Sequence, residues 1–324
     1  GGAVSAASSI NSNTADAPLV RLGQGDYARE IRPADLRAAD ADRDVIDLGF
    51  LKREPDPAYQ ARRRDYLSSH ALADFRRCPR TYRRKRLGLL PDKDSAAFAF
   101  GRATHVRILE GVERFKTGFV VGPPCDPKTG KAPDPRSKAH KAWVAAQTKP
   151  IVSEKDAAAI EQMHAAVRSH LFARELLSVG VAERVVRTDY CGVACQARID
   201  WLNPVDGRGI VDLKTTRDLD GFERDVFRFG YVHQLAFYRE LIVEASGVEL
   251  EAHLIAVEKD EPFRCGVWQL SRRLLDRAAD ENVQTIEELK RCHERDAWPT
   301  RYESLRLLDA PRADETEPPT EETT

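Results

Sequence analysis

The sequence predicts a mixed α/β domain, on three observations. Strand-like segments cluster between residues 183 and 270, helical periodicity fills the stretch before them, and two further helices interrupt and close the strand run. The chain is 324 residues long, enough for a large core.

In chain order, residues 21–65 are polar and punctuated by Pro33, Pro55 and Pro57. Together with the Gly/Ala/Ser/Asn-rich start they read as a loosely packed arm over 1–65. Order is expected from Tyr66, where Ser68 or Ser69 caps a short helix carrying Leu72 and Phe75 on one face. Phe98–Glu110 reads as a second helix. Residues 118–136 hold three glycines and five prolines and mark a long loop. Two helices are expected between Ser137 and Leu177, the second capped by Ser153 and carrying Ile160, Met163 and Val167 at helical spacing.

Glu183–Tyr190, Val193–Leu202, Gly209–Thr215, Glu251–Glu258 and Phe263–Leu270 read as strands. Asn203-Pro204-Val205-Asp206-Gly207 turns between the second and third. One helix over Gly221–Ala245 separates the third and fourth strands, and another covers Ser271 to Arg295. The folded domain is thus expected over 66–305, with an acidic, disordered tail over 306–324.

Charge is distributed unevenly. The formal net charge is −1, yet the last 16 residues carry −5 and residues 66–308 carry +5. Mean hydropathy is −0.50 and no run approaches a membrane span, so a soluble protein with no membrane partner is expected. No secretory signal is legible. The six cysteines are too dispersed for a disulfide framework, and the expectation is a cytoplasmic protein.

The chemistry concentrates in Ala197-Arg198-Ile199-Asp200-Trp201 and Gly209-Ile210-Val211-Asp212-Leu213-Lys214. Strand alternation puts Asp212 and Lys214 on one face, and Asp200 can meet Asp212 across the hairpin. Converging carboxylates beside an ammonium suit a hard divalent cation, Mg²⁺ by preference, and phosphodiester hydrolysis. An Asp-x-Lys pair alone is common on a solvated strand face. Tyr231, Gln234 and Tyr238 add a helix face at i, i+3 and i+7, the spacing of an ordinary amphipathic face as well.

Taken in order, these segments resemble the PD-(D/E)XK nuclease superfamily, and within it the RecE-like exonucleases, with lambda exonuclease more distantly similar. Tyr66–Pro79 is similar to that family's opening segment. Gly101–Glu110 resembles its glycine-to-histidine motif, and Tyr231–Tyr238 its helix after the core. The resemblance spans roughly residues 66–300 and implies a restriction-endonuclease-like core, a mixed central sheet flanked by helices. It implies His105, Asp200, Asp212 and the Leu213 carbonyl as metal ligands, with Mg²⁺ replaceable by Mn²⁺. Lys214 would be the catalytic lysine, Glu183 the additional acidic residue, and Gln234 and Tyr231 would assist at the phosphate. Asp212 stands where many relatives have Glu.

Arg76, Arg77, Arg80, Arg83, Arg84, Lys85 and Arg86 place seven cations in eleven residues, a pattern suited to sequence-independent contact with DNA phosphates or to a solvated helix face. The resemblance implies a ring-shaped homo-oligomer that acts on double-stranded DNA ends 5′→3′ and passes a 3′ overhang to a RecT-type annealing protein. Two rival readings are a RecB-like, CRISPR-associated nuclease with an iron–sulfur cluster and an inactive DNA-binding protein on the same fold. After the core only Cys265 and Cys292 are available to such a cluster.

Overall fold

The computed structural model describes residues 46–90, 96–125, 129–130, 133–205 and 208–307. Residues 1–45 of the expected arm and 308–324 of the expected tail lie outside the described residues.

The folded body starts before Tyr66. Strand β1 (Lys52–Arg53) pairs with the first long strand, and helix α1 (Asp56–Ala61) follows, with Arg62–Arg64 in a single 3₁₀ turn. Ile46, Leu48, Phe50 and Leu51 pack on the main core. Residues 46–65 therefore correct the expectation of a loose arm: four apolar side chains and two edge-strand residues tie them to the body, a pairing too short to read from periodicity.

Helix α2 (Ser69–Arg77) is capped by the Ser68 hydroxyl, which accepts from the Ala71 amide, and α3 (Pro79–Arg86) follows at once, opened by Pro79. Helix α4 (Ala96–His105) runs into a five-residue π-helical turn over Val106–Glu110, where a single α-helix was expected. Then come α5 (Val112–Gly118), β2 (Val120–Val121), α6 (Lys138–Ala145), β3 (Ile151–Val152), α7 (Glu154–Ser169) and α8 (Leu171–Leu176). Strands β2 and β3 pair in parallel, β2 inside the stretch expected as a long loop and β3 between the two helices expected over 137–177.

The sheet follows: β4 (Val181–Tyr190), β5 (Val193–Asn203) and β6 (Gly209–Thr216) form the expected antiparallel meander. The single helix expected over Gly221–Ala245 is two, α9 (Phe222–Arg228) and α10 (Tyr231–Ser246), broken where Gly230 takes a left-handed φ of 70°. Strands β7 (Ala252–Glu258) and β8 (Cys265–Gln269) and helix α11 (Arg272–Arg295) complete the fold. The six strands lie in the order β1-β4-β5-β6-β7-β8, with only the β6–β7 pair parallel.

Helices cover both faces. Ile210 and Leu254 point toward α10 and α11, in a core with Phe75, Phe237, Leu241 and Ile286. Val211, Leu213, Ile255 and Val257 point the other way, against Met163, Val167 and Leu176 of α7 and α8. This explains why β6 and β7 are almost continuously apolar, as strands buried on two faces are. Asp212 interrupts that run and is 1% exposed, so its charge must be met inside the protein. No helix among the described residues is long and apolar enough to cross a membrane.

Candidate active site

The polar site forms where β4, β5 and β6 lie side by side beneath the first turns of α10. Trp201 pairs with Val211 and Leu202 with Ile210, which brings Asp200 beside Leu213; the Leu213 amide donates to Asp200 Oδ2 at 3.0 Å. Asp212 and Lys214 share the α10 face, their carboxylate and ammonium 2.5 Å apart. Gln234 spans the pair. Its Nε2 donates to Asp212 Oδ1 at 3.0 Å, and its Oε1 accepts from Lys214 Nζ at 3.1 Å. Tyr238 receives a second Gln234 donor at 2.8 Å, and the Lys214 ammonium sits 4.5 Å from the centre of the Tyr231 ring. The break at Gly230 is what starts α10 at Tyr231, so that Tyr231 and Gln234 stand on its first turn, against β6.

Three groups converge next to this pair. One ligand atom from each of His105, Glu183 and Asp200 lies within 4.8 Å of the other two, and His105 Nδ1 is 3.4 Å from Asp200 Oδ2. His105 arrives at the end of α4, just before the π-helical turn. Glu183 faces Asp200 in the β4–β5 register, since Ala182 pairs with Trp201 and Arg184 with Ile199. Glu183 itself takes a φ of 51°, a left-handed backbone that a residue with a Cβ adopts only under constraint.

The electrostatics match a site assembled to hold positive charge. Burial, opposed by Lys214 and reinforced by Asp200, pushes the Asp212 carboxyl up to about 6. Burial and then Asp200 push Glu183 up to about 8, against the pull of Arg198. Lys214 goes the other way from an ordinary buried lysine: burial alone would lower it, and Asp212 and Asp200 together hold it above its usual value. Asp212 Oδ2 lies beside Lys214 without a well-formed hydrogen bond. A hard cation fits this donor set of carboxylate oxygens and one imidazole nitrogen, and would relieve the crowding of Glu183, Asp200 and Asp212.

The structure brings together Lys214, Asp212, Asp200, Gln234, Tyr231, Glu183 and His105. The grouping differs in two details from the expected ligand set. Glu183 joins His105 and Asp200, while Asp212 is engaged by Lys214 and Gln234. Leu213 meets Asp200 through its amide, and its side chain is buried on the far face.

Residues outside the expected set also belong here. Arg198 pairs with Glu183 at 3.1 Å, binds Asp56 of α1 and lies 4.7 Å from the Tyr59 ring centre. Arg198 was legible, two residues before Asp200 on the same strand face. Asp56 and Tyr59 were not, because they fall in the presumed arm. A cavity of about 370 Å³ opens beside Tyr231, lined among others by Arg217, Arg224, Arg228, Phe229 and Lys259. The Lys259 ammonium is held below its ordinary value by burial and by Arg217.

The basic run of α2 and α3 is largely engaged with the protein. Arg76 donates to Asn282 at 2.5 Å, Lys85 to Asp74 at 2.6 Å and Arg80 to the Trp298 carbonyl at 3.2 Å. Arg83 stacks over Trp298, and Arg86 holds the carbonyls of Arg63 and Arg64. Arg77 and Arg84 are exposed, Arg77 within 3.3 Å of Asp74. Much of this run is thus a structural clasp between α3, α11 and the turn before α2. All six cysteines are free, and none belongs to a three-residue ligand cluster among the described residues.

A six-stranded mixed sheet whose central strands carry Asp…Asp-x-Lys, followed by a glutamine-bearing helix, is a PD-(D/E)XK nuclease-like fold. The chain belongs to the family described as "PDDEXK-like domain of unknown function (DUF3799)", whose model matches residues 68–311. No curated protein matches it. Among solved structures it is similar to the 2.19 Å crystal structure of a "Putative exonuclease" from Eubacterium rectale, at 16% identity and a TM-score of 0.57, over 82% of this chain and 98% of that one. That likeness carries the fold.

Proposed function

We propose that this protein is a divalent-metal-dependent exodeoxyribonuclease that digests linear double-stranded DNA from its ends, with Mg²⁺ as the working ion and Mn²⁺ as a substitute. The observation that carries this reading is the buried Asp212–Lys214 pair bridged by Gln234, next to the His105–Glu183–Asp200 cluster. The Eubacterium rectale protein of similar fold is itself named an exonuclease, in agreement with this reading.

His105, Glu183 and Asp200, with Asp212 adjoining, would hold the ion. The ion would supply positive charge against the phosphate oxygens as the scissile bond breaks. Asp212 fixes Lys214, and Tyr231 flanks its ammonium, so that the ammonium is held in place to orient the attacking water and steady developing negative charge. Gln234 locks the Asp212 carboxylate and the Lys214 ammonium in one geometry. The cations of the adjacent cavity suit the phosphates that flank the scissile one.

A 5′→3′ polarity, processive action by a homo-oligomeric ring and delivery of 3′ overhangs to a RecT-type annealing protein follow the resemblance to RecE-like exonucleases and form part of this proposal. The test is end-labelled linear duplex with Mg²⁺ or EDTA, alongside closed circular DNA. Mg²⁺-dependent release of mononucleotides, from the 5′ label first, is the expected result. Resistance of linear duplex with nicking of circles overturns the exonuclease reading, and inertness toward both favours a catalytically silent DNA-binding protein.

A further inference from the structure

The cations expected to grip DNA are mostly occupied, which raises the question of which basic surface is open. Residues 128–149 hold six basic side chains and one acid, Asp134. Within them lies α6, an eight-residue helix that buries none of its residues. His140 and Trp143 form its half-buried inner side, and the rest of the helix is presented to solvent. Lys138 and Lys141 stand at i and i+3 on one side of it, Arg136 precedes it and Lys149 follows it. All four are exposed, and among the described residues no carboxylate pairs with any of them. This contrasts with Lys85, Arg86 and Arg76, whose donors are taken.

The lobe is anchored where it matters. Strands β2 and β3 pair at its base. Val152 of β3 is buried in one cluster with Phe115, Ile160 and Ala103. Ala103 lies on α4 two residues before His105, so the lobe rises from the very helix that delivers the histidine to the site. The Trp143 ring packs against Gly122, where an added Cβ would lie 3.0 Å from it, and so fixes α6 to the end of β2.

We propose that the β2–α6–β3 lobe is a duplex-DNA clamp, in which Arg136, Lys138, Lys141 and Lys149 bind backbone phosphates of the double helix entering the site. Charge complementarity selects a polyanion, and attachment to α4 selects the polyanion on which the site acts. The inference rests on the nuclease reading for its choice of DNA, but its test needs no cleavage. Duplex binding is measured in EDTA over a salt series, for the full chain and for the variant Arg136→Gln/Lys138→Gln/Lys141→Gln/Lys149→Gln. The substituted positions are exposed, and thermal melting confirms that the variant folds.

Each phosphate contact contributes a slope of about −0.9 in the logarithm of affinity against the logarithm of salt. Loss of four contacts should therefore flatten the slope by about 3 to 4. Between 50 and 200 mM salt the variant should lose roughly a hundredfold less affinity than the parent. Equal slopes and equal affinities overturn the clamp, as does a difference confined to anionic vesicles. A flattened slope in a protein that cleaves no DNA leaves the clamp standing and removes the nuclease reading; unchanged slopes in an active nuclease do the reverse.

Discussion

Gln234 donates to Asp212 at 3.0 Å while accepting from Lys214 at 3.1 Å, so one amide holds both members of a buried ion pair in register. Neither end of that amide can be exchanged without loss. Gln234→Leu keeps the volume, removes both bonds and leaves Asp212 Oδ1 without its donor. Activity on duplex should fall by about 10- to 100-fold, the usual scale for a positioning partner. Stability should fall by about 1–3 kcal/mol. Nuclease rates and melting temperatures of the purified variant check both, and an unchanged rate would remove Gln234 from the site.

Lys214→Ala should abolish cleavage and also destabilise, because Asp212 stays buried with its counter-charge gone; about 3–5 kcal/mol is the scale for breaking such a pair. Asp212→Asn should abolish cleavage with a smaller stability loss, since a neutral amide is cheaper to bury than an orphan carboxylate. Comparing denaturant midpoints of the two variants tests that ranking, and a Lys214→Ala protein as stable as the parent would contradict it.

Glu183 and Asp212 bind protons more tightly folded than unfolded, at about 8 and about 6. A carboxyl raised by folding favours the folded state below its unfolded value, and that advantage is lost as pH rises through the folded value. The metal-free protein should therefore lose, from pH 4 to pH 8, a share of its stability that a Glu183→Gln/Asp212→Asn variant does not lose. Added Mg²⁺ should flatten the decline by favouring the ionised carboxylates. Melting curves of the parent and that variant in EDTA, and of the parent in Mg²⁺, across this range provide the measurement, and a parent-minus-variant difference that grows with pH would refute it.

The left-handed φ of Glu183 predicts an inverted preference. In an ordinary strand alanine is favoured over glycine by about 0.5–1 kcal/mol. At 183, Glu183→Gly should be more stable than Glu183→Ala, by about 1 kcal/mol, because only glycine takes this backbone freely. Both should bind Mg²⁺ or Mn²⁺ more weakly than the parent. Chemical denaturation and metal titration of the pair decide the matter, and alanine proving the more stable would show that the backbone at 183 is unstrained.

Much of this site was legible because two periodicities are rigid. Strand alternation alone puts Asp212 and Lys214 on one face, and helical spacing puts Tyr231, Gln234 and Tyr238 on another. The break at Gly230 was not legible, since one glycine in a helical pattern is tolerated as often as it ends a helix. The recruitment of Asp56 and Tyr59 to Arg198 depends on a two-residue strand joined to β4 more than a hundred positions away, a non-local event that no short window reports. The basic run over 76–86 showed its charge but not its partners: Asp74, Asn282 and Trp298 absorb cations that look free in one dimension.

The segment before residue 68, outside the family match, threads Asp56 onto Arg198 and through it onto Glu183. The unit matched by the family and the unit that builds the candidate site therefore have different edges. A chimera cut at the family edge would import the domain with one wall of its candidate site left behind, so residues 46–67 must travel with any graft of this domain into another protein.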